Sequence, residues 1–247
     1  MSAVRELANR YVDQSAVLDP ILATSRGVTG YDGEMTDYSP EGHAARTALD
    51  RKALGELSQI RPLTEPDRIA VDVMTERLQV AVDQEEAGER LRDLRIIGSP
   101  FQSIRQCFDL MATATERDWE IIATRMERVP QALTSFEAAL REGLSRGVVA
   151  ARRQALVCAD QGARWSGGKN GSALLTELCL QDAHGIQCVQ TAVAFERVSL
   201  ELISVGAAQP AQHVLLDQIA LFDAFTDHLN YQVVPCPTFV TASGRAR

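Results

Sequence analysis

Two stretches decide the fold: SPEGHAARTALDRKALGELSQ (39–59) and TEPDRIAVDVMTERLQVAVDQEEAG (64–88). Each opens with a hydroxyl residue that can cap a helix, and a proline follows within two positions, where its missing N–H is harmless. An acidic residue then occupies the first turn, next to the positive end of the helix dipole. The stretches therefore predict two consecutive helices, which begin after Ser39 and Thr64, and the second reaches Gly88 or beyond.

The second of these helices carries several large apolar residues. We expect them to form one apolar side, made of Ile69, Val73, Leu78, Val80 and Val82. The end of the helix is charged, and Glu86 stands four residues before Arg90, the spacing of an ion pair on a helix surface. This charged end is therefore predicted to face solvent.

Helix signals recur in both directions from these stretches. They are Ser2 as a first cap, Asp19-Pro20, Ser99-Pro100, a capping box of Thr115 with Asp118, a break at Pro130 and a glycine stop at Gly147. These residue types begin and end helices for known steric and hydrogen-bonding reasons. No window shows the sustained two-residue alternation of a strand. The sequence therefore predicts an all-α protein, built as a multi-helix array or bundle.

The chain has 247 residues and a net charge of -8, without a run of Lys and Arg. A nucleic-acid partner needs a clustered basic surface, so we expect none. No stretch approaches the apolar length of a membrane span, and residues 1–10 lack the apolar core of a signal peptide. Five widely spread cysteines then predict free thiols in a reducing cytoplasm.

The composition changes after Trp165, where charged residues become sparse and a Gly- and Ser-rich segment follows. Such a segment is typical of a flexible linker. We therefore predict four parts, a helical domain (1–165), a linker (166–172), a low-charge helical region (173–230) and a loose C-terminal tail (231–247). The linker does not match a phosphate-binding loop, because Asn170 stands where that motif needs a hydroxyl residue.

Catalytic and metal-binding motifs are missing from the sequence. No histidine is followed by glutamate, which excludes the H-E-x-x-H zinc motif, and G-x-S-x-G is absent. The tightest group of ligand-type residues is Cys179, Asp182, His184 and Cys188. On one continuous helix its two cysteines fall on opposite sides, unless Gly185 breaks the helix. We favour core cysteines with a surface histidine and predict no catalytic, cofactor-binding or metal-binding residue.

The segment 89–105 mixes polar and apolar residues irregularly around the helix start at Ser99. Its four polar candidates are Arg92, Asp93, Gln102 and Arg105. They could be buried and paired, holding two helices at a fixed angle, or they could line a cleft. Because buried polar groups are paired wherever they occur, we favour the structural network.

Three spaced runs resemble the N-terminal half of the bacterial proteins known as domain of unknown function 885. They are LANRYVDQSAVLDPILATSRGVTGYDGEMTDYSPEGHAARTALDRKAL (7–54), ERLRDLRIIGSPFQSIRQCFDLM (89–111) and RGVVAARRQ (146–154). The resemblance covers residues 5–161. It implies a helical protein that looks like a zinc-dependent peptidase of the gluzincin type, whose second half carries an H-E-x-x-P-G-H-type motif.

That motif is absent here, so the resemblance implies zinc only for the full-length family and assigns no ligand to this chain. Two hypotheses follow. In the first, the chain is the non-catalytic N-terminal half of a metallopeptidase-like protein, left by truncation or loss and inactive by itself. In the second, it is a helical interaction module, whose low-charge helices after Ser172 bury against a second copy or another protein.

Overall fold

The fold was analysed in a computed structural model that describes residues 2–165. Its α-helices are α1 (Ala3–Leu18), α2 (Pro20–Ser25), α3 (Pro40–Leu57), α4 (Glu65–Glu86), α5 (Pro100–Gln106), α6 (Glu116–Met126), α7 (Val129–Ser145) and α8 (Arg152–Trp165). Two short 3₁₀ helices, Glu89–Arg92 and Cys107–Leu110, flank α5. Residues 2–165 contain no strand, so the predicted all-α, multi-helix architecture is confirmed.

The helix starts follow from the caps in the sequence. The Asp19 carboxylate accepts a hydrogen bond from the Leu22 N–H at 3.0 Å, and the Ser39 hydroxyl accepts from the Gly42 N–H at 3.1 Å. These bonds satisfy donors that the first turn of a helix otherwise leaves unpaired. The side chains predicted as N-caps therefore fill that role, and they are Ser2, Asp19, Ser39, Thr64 and Thr115.

The buried side of α4 differs from the predicted one. Leu78 and Val82 are buried, whereas Ile69 and Val73 are each 53% exposed. Nine residues separate Ile69 from Leu78, which places them on opposite sides of a helix with 3.6 residues per turn. The prediction of one apolar side was therefore wrong, since the apolar residues of α4 form two stripes and only one of them packs.

The end of α4 also differs from the prediction. The helix stops at Glu86, and Gly88 takes a φ of 72°, a left-handed conformation that suits glycine and turns the chain into the 3₁₀ helix. Glu86 pairs with Arg51 of α3 at 3.0 Å instead of with Arg90. The predicted helical pair is wrong because the turn at Gly88 ends the α-helical spacing before Arg90.

Two apolar clusters hold the helices together. A small one joins α1, α3 and α4 through Leu7, Ala53, Leu57 and Leu78. A larger one is centred on α7, where Val129, Leu133 and Phe136 are completely buried against α5, α6 and α8. Burying a side chain of that size contributes about 1.5–3 kcal/mol, so α7 is the main support of this region.

A buried arginine joins α6 to α2 and to the loop between α2 and α3. Arg125 is 0% exposed. Its guanidinium donates to the carbonyl oxygens of Glu34 at 2.9 Å and Pro20 at 3.2 Å, and to the Thr24 hydroxyl at 2.8 Å. All three guanidinium nitrogens donate to protein oxygens. Arg125 therefore has a structural role and holds these segments together.

None of the helices among residues 2–165 is long and apolar enough to cross a membrane.

Candidate binding cleft

Helices α1 to α4 and the 3₁₀ helix Glu89–Arg92 border a cavity of about 310 Å³. This volume is at the lower end of the range for small-molecule sites. Its lining is unusually polar for the inside of a helical protein, and the side chains that matter most are Tyr11, His43, Arg46, Asp50, Glu85 and Arg90. The cavity is therefore the main candidate for a binding site.

Helix α3 supplies three of these side chains, because His43, Arg46 and Asp50 follow one another at spacings of three and four residues. Residues so spaced lie on one side of a helix. A polar stripe of this kind usually faces solvent, yet His43 is only 6% exposed. The sequence shows that these three residues share one side of a helix. It does not show that this side is buried, because the burial comes from the packing of neighbouring helices.

His43 is held by its neighbour Arg46. The Arg46 Nη2 lies 2.8 Å from the His43 Nδ1, and since a guanidinium has only donors, Nδ1 accepts. The His43 Nε2 is buried without a hydrogen-bond partner among the described residues. Burial, together with the positive charges of Arg46 and Arg90, lowers the pKa of His43 to about 3. The ring is therefore neutral at physiological pH and carries its proton on Nε2.

Arg46 is fixed from several sides. Its Nη1 donates to the carbonyl oxygens of Asp37 at 2.6 Å and Leu18 at 3.3 Å. Its guanidinium carbon lies 5.8 Å from the ring centroid of Tyr38, within the range of a cation–π contact. Burial lowers the pKa of Arg46 from its ordinary value. Arg46 is thus a rigid support that fixes the orientation of the His43 ring.

Tyr11 of α1 also lines the cavity. Its hydroxyl donates to the Asp50 carboxylate at 2.7 Å. Burial and this hydrogen bond both raise the pKa of Tyr11, while burial raises the pKa of Asp50. The pair therefore contributes a fixed, polar wall and holds α1 against α3.

Arg90 reaches the cavity because of the turn at Gly88. The 3₁₀ helix that carries it rests on α7 at Gly143, where a Cβ atom would overlap the carbonyl oxygen of Leu91. In the described part of the chain, no hydrogen bond or ion pair engages the Arg90 side chain, which lines the cavity. Its charge lowers the pKa of both His43 and Asp50. Arg90 is thus a positioned cation without a protein acceptor.

The four polar candidates from the sequence are distributed over different surroundings. Arg92 is exposed and pairs with Glu89, and Arg105 pairs with Asp109. Asp93 lines the cavity and pairs with Arg95 at 2.8 Å. The structure does not bring the four together, since each has its own partners.

Gln102 is the buried member of that set. It is 3% exposed, and its side-chain amide donates to the Arg95 carbonyl and to Gln161 of α8, each at 2.9 Å. Its carbonyl oxygen accepts from the Ser99 N–H at 3.0 Å. Gln102 thus ties α5 to α8 and to the segment before it.

A second cavity, of about 300 Å³, shares Asp19, Tyr38 and Arg90 with the first and extends toward α5. The Cys107 thiol borders it and is 2% exposed. Burial raises the pKa of Cys107 to about 11, so the thiol remains protonated. Because nucleophilic cysteines need a thiolate, Cys107 is a packing residue here.

Zinc does not fit the polar groups of this cleft. No group of three or more His, Cys, Asp or Glu side chains within residues 2–165 is arranged to hold a metal ion. The histidine of this cleft has its Nδ1 engaged by Arg46. The group of ligand-type residues at Cys179–Cys188 and the predicted parts beyond Trp165 lie outside the described residues.

The chain is thus a helical protein with a polar, partly buried cleft and a tightly packed apolar core. A family model described as "Bacterial protein of unknown function (DUF885)" matches residues 20–219. The chain belongs to that family. The match continues beyond residue 161, where the resemblance read from the sequence ended. No curated protein matches the chain.

Proposed function

We propose that this chain is the non-catalytic half of a metallopeptidase-like protein of its family and forms one wall of a substrate cleft. The observation that carries the proposal is the cavity beside α3, in which oriented polar groups converge without a reactive one. Binding, rather than bond cleavage, is the role that such a cavity serves. The peptidase part of the proposal comes from the resemblance of the sequence runs to the family.

Protonation states support a binding role. A general base works best when its pKa is near the operating pH, whereas burial and two arginines lower the pKa of His43 to about 3. A nucleophilic thiol needs a lowered pKa, whereas burial raises the pKa of Cys107 to about 11. Both groups are therefore fixed in forms that donate or pack but do not attack a substrate.

A zinc and peptidase assay tests this proposal. The purified chain is analysed for zinc by mass spectrometry and assayed against a mixed fluorogenic peptide library, with and without EDTA. We expect no stoichiometric zinc and no EDTA-sensitive cleavage, while a known zinc peptidase treated in parallel serves as the positive control. One bound zinc ion per chain together with EDTA-sensitive cleavage would contradict the proposal.

Self-association is a second candidate function, and α4 supplies the observation that favours it. Ile69 and Val73 are exposed on the outer side of α4, and exposed apolar stripes of this kind are common at interfaces. The region after Ser172, which we predicted to be helical and to bind a partner, lies outside the described residues. Light scattering coupled to gel filtration tests the idea, since a monomer at high concentration is incompatible with it.

We also propose a reducing, cytoplasmic location. Within the described residues, Cys107 and Cys158 are both free thiols, as expected where glutathione keeps cysteines reduced. Thiol titration of the unfolded chain, isolated from cells under alkylating conditions, checks this. Disulfides in that material would argue for an oxidising compartment.

A further inference from the structure

Helix α1 forms part of the wall of the polar cavity beside α3. Its side chains Tyr11 and Ser15 line that cavity, and the Tyr11 hydroxyl donates to the Asp50 carboxylate of α3 at 2.7 Å. Thr47, one turn before Asp50, is 5% exposed and also lines the cavity. Because residues three apart share one side of a helix, Thr47 lies on the side of α3 that Tyr11 contacts. Helix α1 therefore helps to close the polar side of α3.

Few buried side chains hold α1 in place. Val4, Leu7 and Ala16 are its buried residues, and of these only Leu7 belongs to the small apolar cluster that joins α1, α3 and α4. Helix α7 is one residue longer than α1 and buries eight residues. Since apolar burial is the main stabilising contribution to a packed helix, α1 separates from the fold at a lower free-energy cost than α7.

The position of α1 in the chain makes such a separation local. Helices α3 and α4 also bury few residues, but each of them is joined to other helices at both ends. Within residues 2–165, α1 is joined to another helix only at its C-terminal end, through Asp19. It can therefore leave its place while the other helices keep theirs, as weakly buried elements at one end of a fold commonly do.

Side-chain hydrogen bonds fasten α1 to its neighbours with different strengths. Ser2 bonds to α4 at 2.7 Å, and Arg10 pairs with Glu56 of α3 at 2.7 Å, where both side chains are exposed. The bond between Tyr11 and Asp50 is partly buried. A hydrogen bond to a carboxylate that is shielded from water is stronger than an exposed ion pair. Tyr11 is therefore the main polar tie between α1 and α3.

We propose that α1 is a strap over the cavity, which separates from α3 while the larger apolar cluster around α7 stays folded. This motion breaks the hydrogen bond between Tyr11 and Asp50 and uncovers the polar side of α3. A ligand can then enter or leave the cavity without global unfolding of the chain. The proposal concerns access to the cavity and needs neither zinc nor peptidase chemistry.

Hydrogen exchange of the full chain, measured by mass spectrometry of its peptides, compares α1 with α7. We expect the slowest amides of α1 to exchange at least about tenfold faster than the slowest amides of α7. Urea below the unfolding transition should accelerate exchange in α7 and leave α1 little changed, because a local opening exposes little surface. Equal rates with equal urea dependence would overturn the proposal, since α1 would then open only by global unfolding.

Thiol labelling reports on the side of α3 that the strap covers. Thr47→Cys introduces a thiol at a position that is 5% exposed, and Cys107, which is 2% exposed in the larger cluster, is the internal control. Both thiols react with iodoacetamide only after an opening, and peptide mass spectrometry follows each one separately. We expect the thiol at position 47 to react at least about tenfold faster than Cys107. Equal rates, or faster labelling of Cys107, would contradict the strap.

Two further changes on α1, each made in the Thr47→Cys chain, test the tie to α3. Tyr11→Phe removes the partly buried hydrogen bond, and we expect labelling at position 47 to accelerate by about threefold to tenfold while Cys107 is unaffected. Arg10→Met removes the exposed pair with Glu56 and should change either rate by less than about twofold. No acceleration at position 47, or equal acceleration of both thiols, would refute the proposal. Circular dichroism checks that each variant is folded, and neither assay depends on the zinc and peptidase test of the proposed function.

Discussion

Two buried polar clusters lie close together in this helical protein, and they differ in how completely they are paired. Arg125 is 0% exposed and donates to three protein oxygens. His43 is 6% exposed, yet its Nε2 has no partner in the described part of the chain. Burial alone therefore does not distinguish a structural polar residue from a binding one. The difference lies in how completely the polar atoms of each cluster are hydrogen-bonded.

The largest effect is expected when the satisfied cluster is broken. Arg125→Met removes a donor from the buried Pro20 carbonyl and from the part-buried Glu34 carbonyl, and Asp32, 3.9 Å from the guanidinium, loses this ion pair. Loss of such a buried, charged network costs about 3–5 kcal/mol of unfolding free energy. Urea denaturation measures the change. Arg117→Met, at an exposed position of the same helix, should stay within about 0.5 kcal/mol, and an equally small effect at Arg125 would contradict the comparison.

An intermediate effect on stability is expected at the contact between α7 and the 3₁₀ helix that carries Arg90. In Gly143→Ala the new Cβ overlaps the carbonyl oxygens of Leu91 and Val148, which are backbone atoms and cannot move aside singly. We expect a loss of about 1–3 kcal/mol, since the 3₁₀ helix must shift. Gly55→Ala is the matched control, because a Cβ there meets nothing within 4 Å. That change should be neutral or stabilising by up to about 1 kcal/mol.

The two clusters should also respond differently to acid. His43 has its pKa lowered from 6.5 to about 3 by burial and by the arginines, so the unfolded chain binds an additional proton between these values. The free energy of unfolding is therefore highest above pH 6.5 and decreases as the pH falls toward 3. His43 contributes up to about 1.4 kcal/mol per pH unit to this decrease. The contacts of Arg125, by contrast, include no histidine.

His43→Phe isolates that contribution. The variant removes both the titrating ring and the unpaired donor, so we expect its stability at pH 7.5 to remain within about 1 kcal/mol of the wild type. Between pH 6.5 and 3 it should lose less stability than the wild type, as measured by urea denaturation at several pH values. Parallel pH profiles for the two proteins would show that His43 is not kept neutral by the fold.

The smallest effect on stability is expected for Arg90→Met. It is the same substitution as at Arg125, but no described residue pairs with the side chain that is lost. We expect a change within about 0.5 kcal/mol, measured by urea denaturation. A loss comparable to that of Arg125→Met would mean that Arg90 is a structural residue, and the contrast between the clusters would fail.

Local signals predicted the helices well because capping is a short-range effect. A hydroxyl or carboxylate at the N-cap bonds to an N–H three residues later, so Thr64 and Asp19 mark helix starts wherever the chain folds. The apolar side of α4 was predicted wrongly, because Ile69 and Leu78 have similar hydrophobicity and only packing selects between their two stripes. The predicted ion pair between Glu86 and Arg90 was wrong for a related reason, since the turn at Gly88 ends the helix between them.

The sequence by itself determined the all-α class, the helix starts and the absence of an H-E-x-x-H motif, because each of these depends on residues a few positions apart. Only the tertiary structure decided which polar residues are buried together. His43 and Arg90 are 47 positions apart along the chain. The packing of α1, α2 and α4 over α3 brings both of them to the lining of one cavity. Unmade hydrogen bonds depend on every neighbouring element, so no local pattern can reveal them.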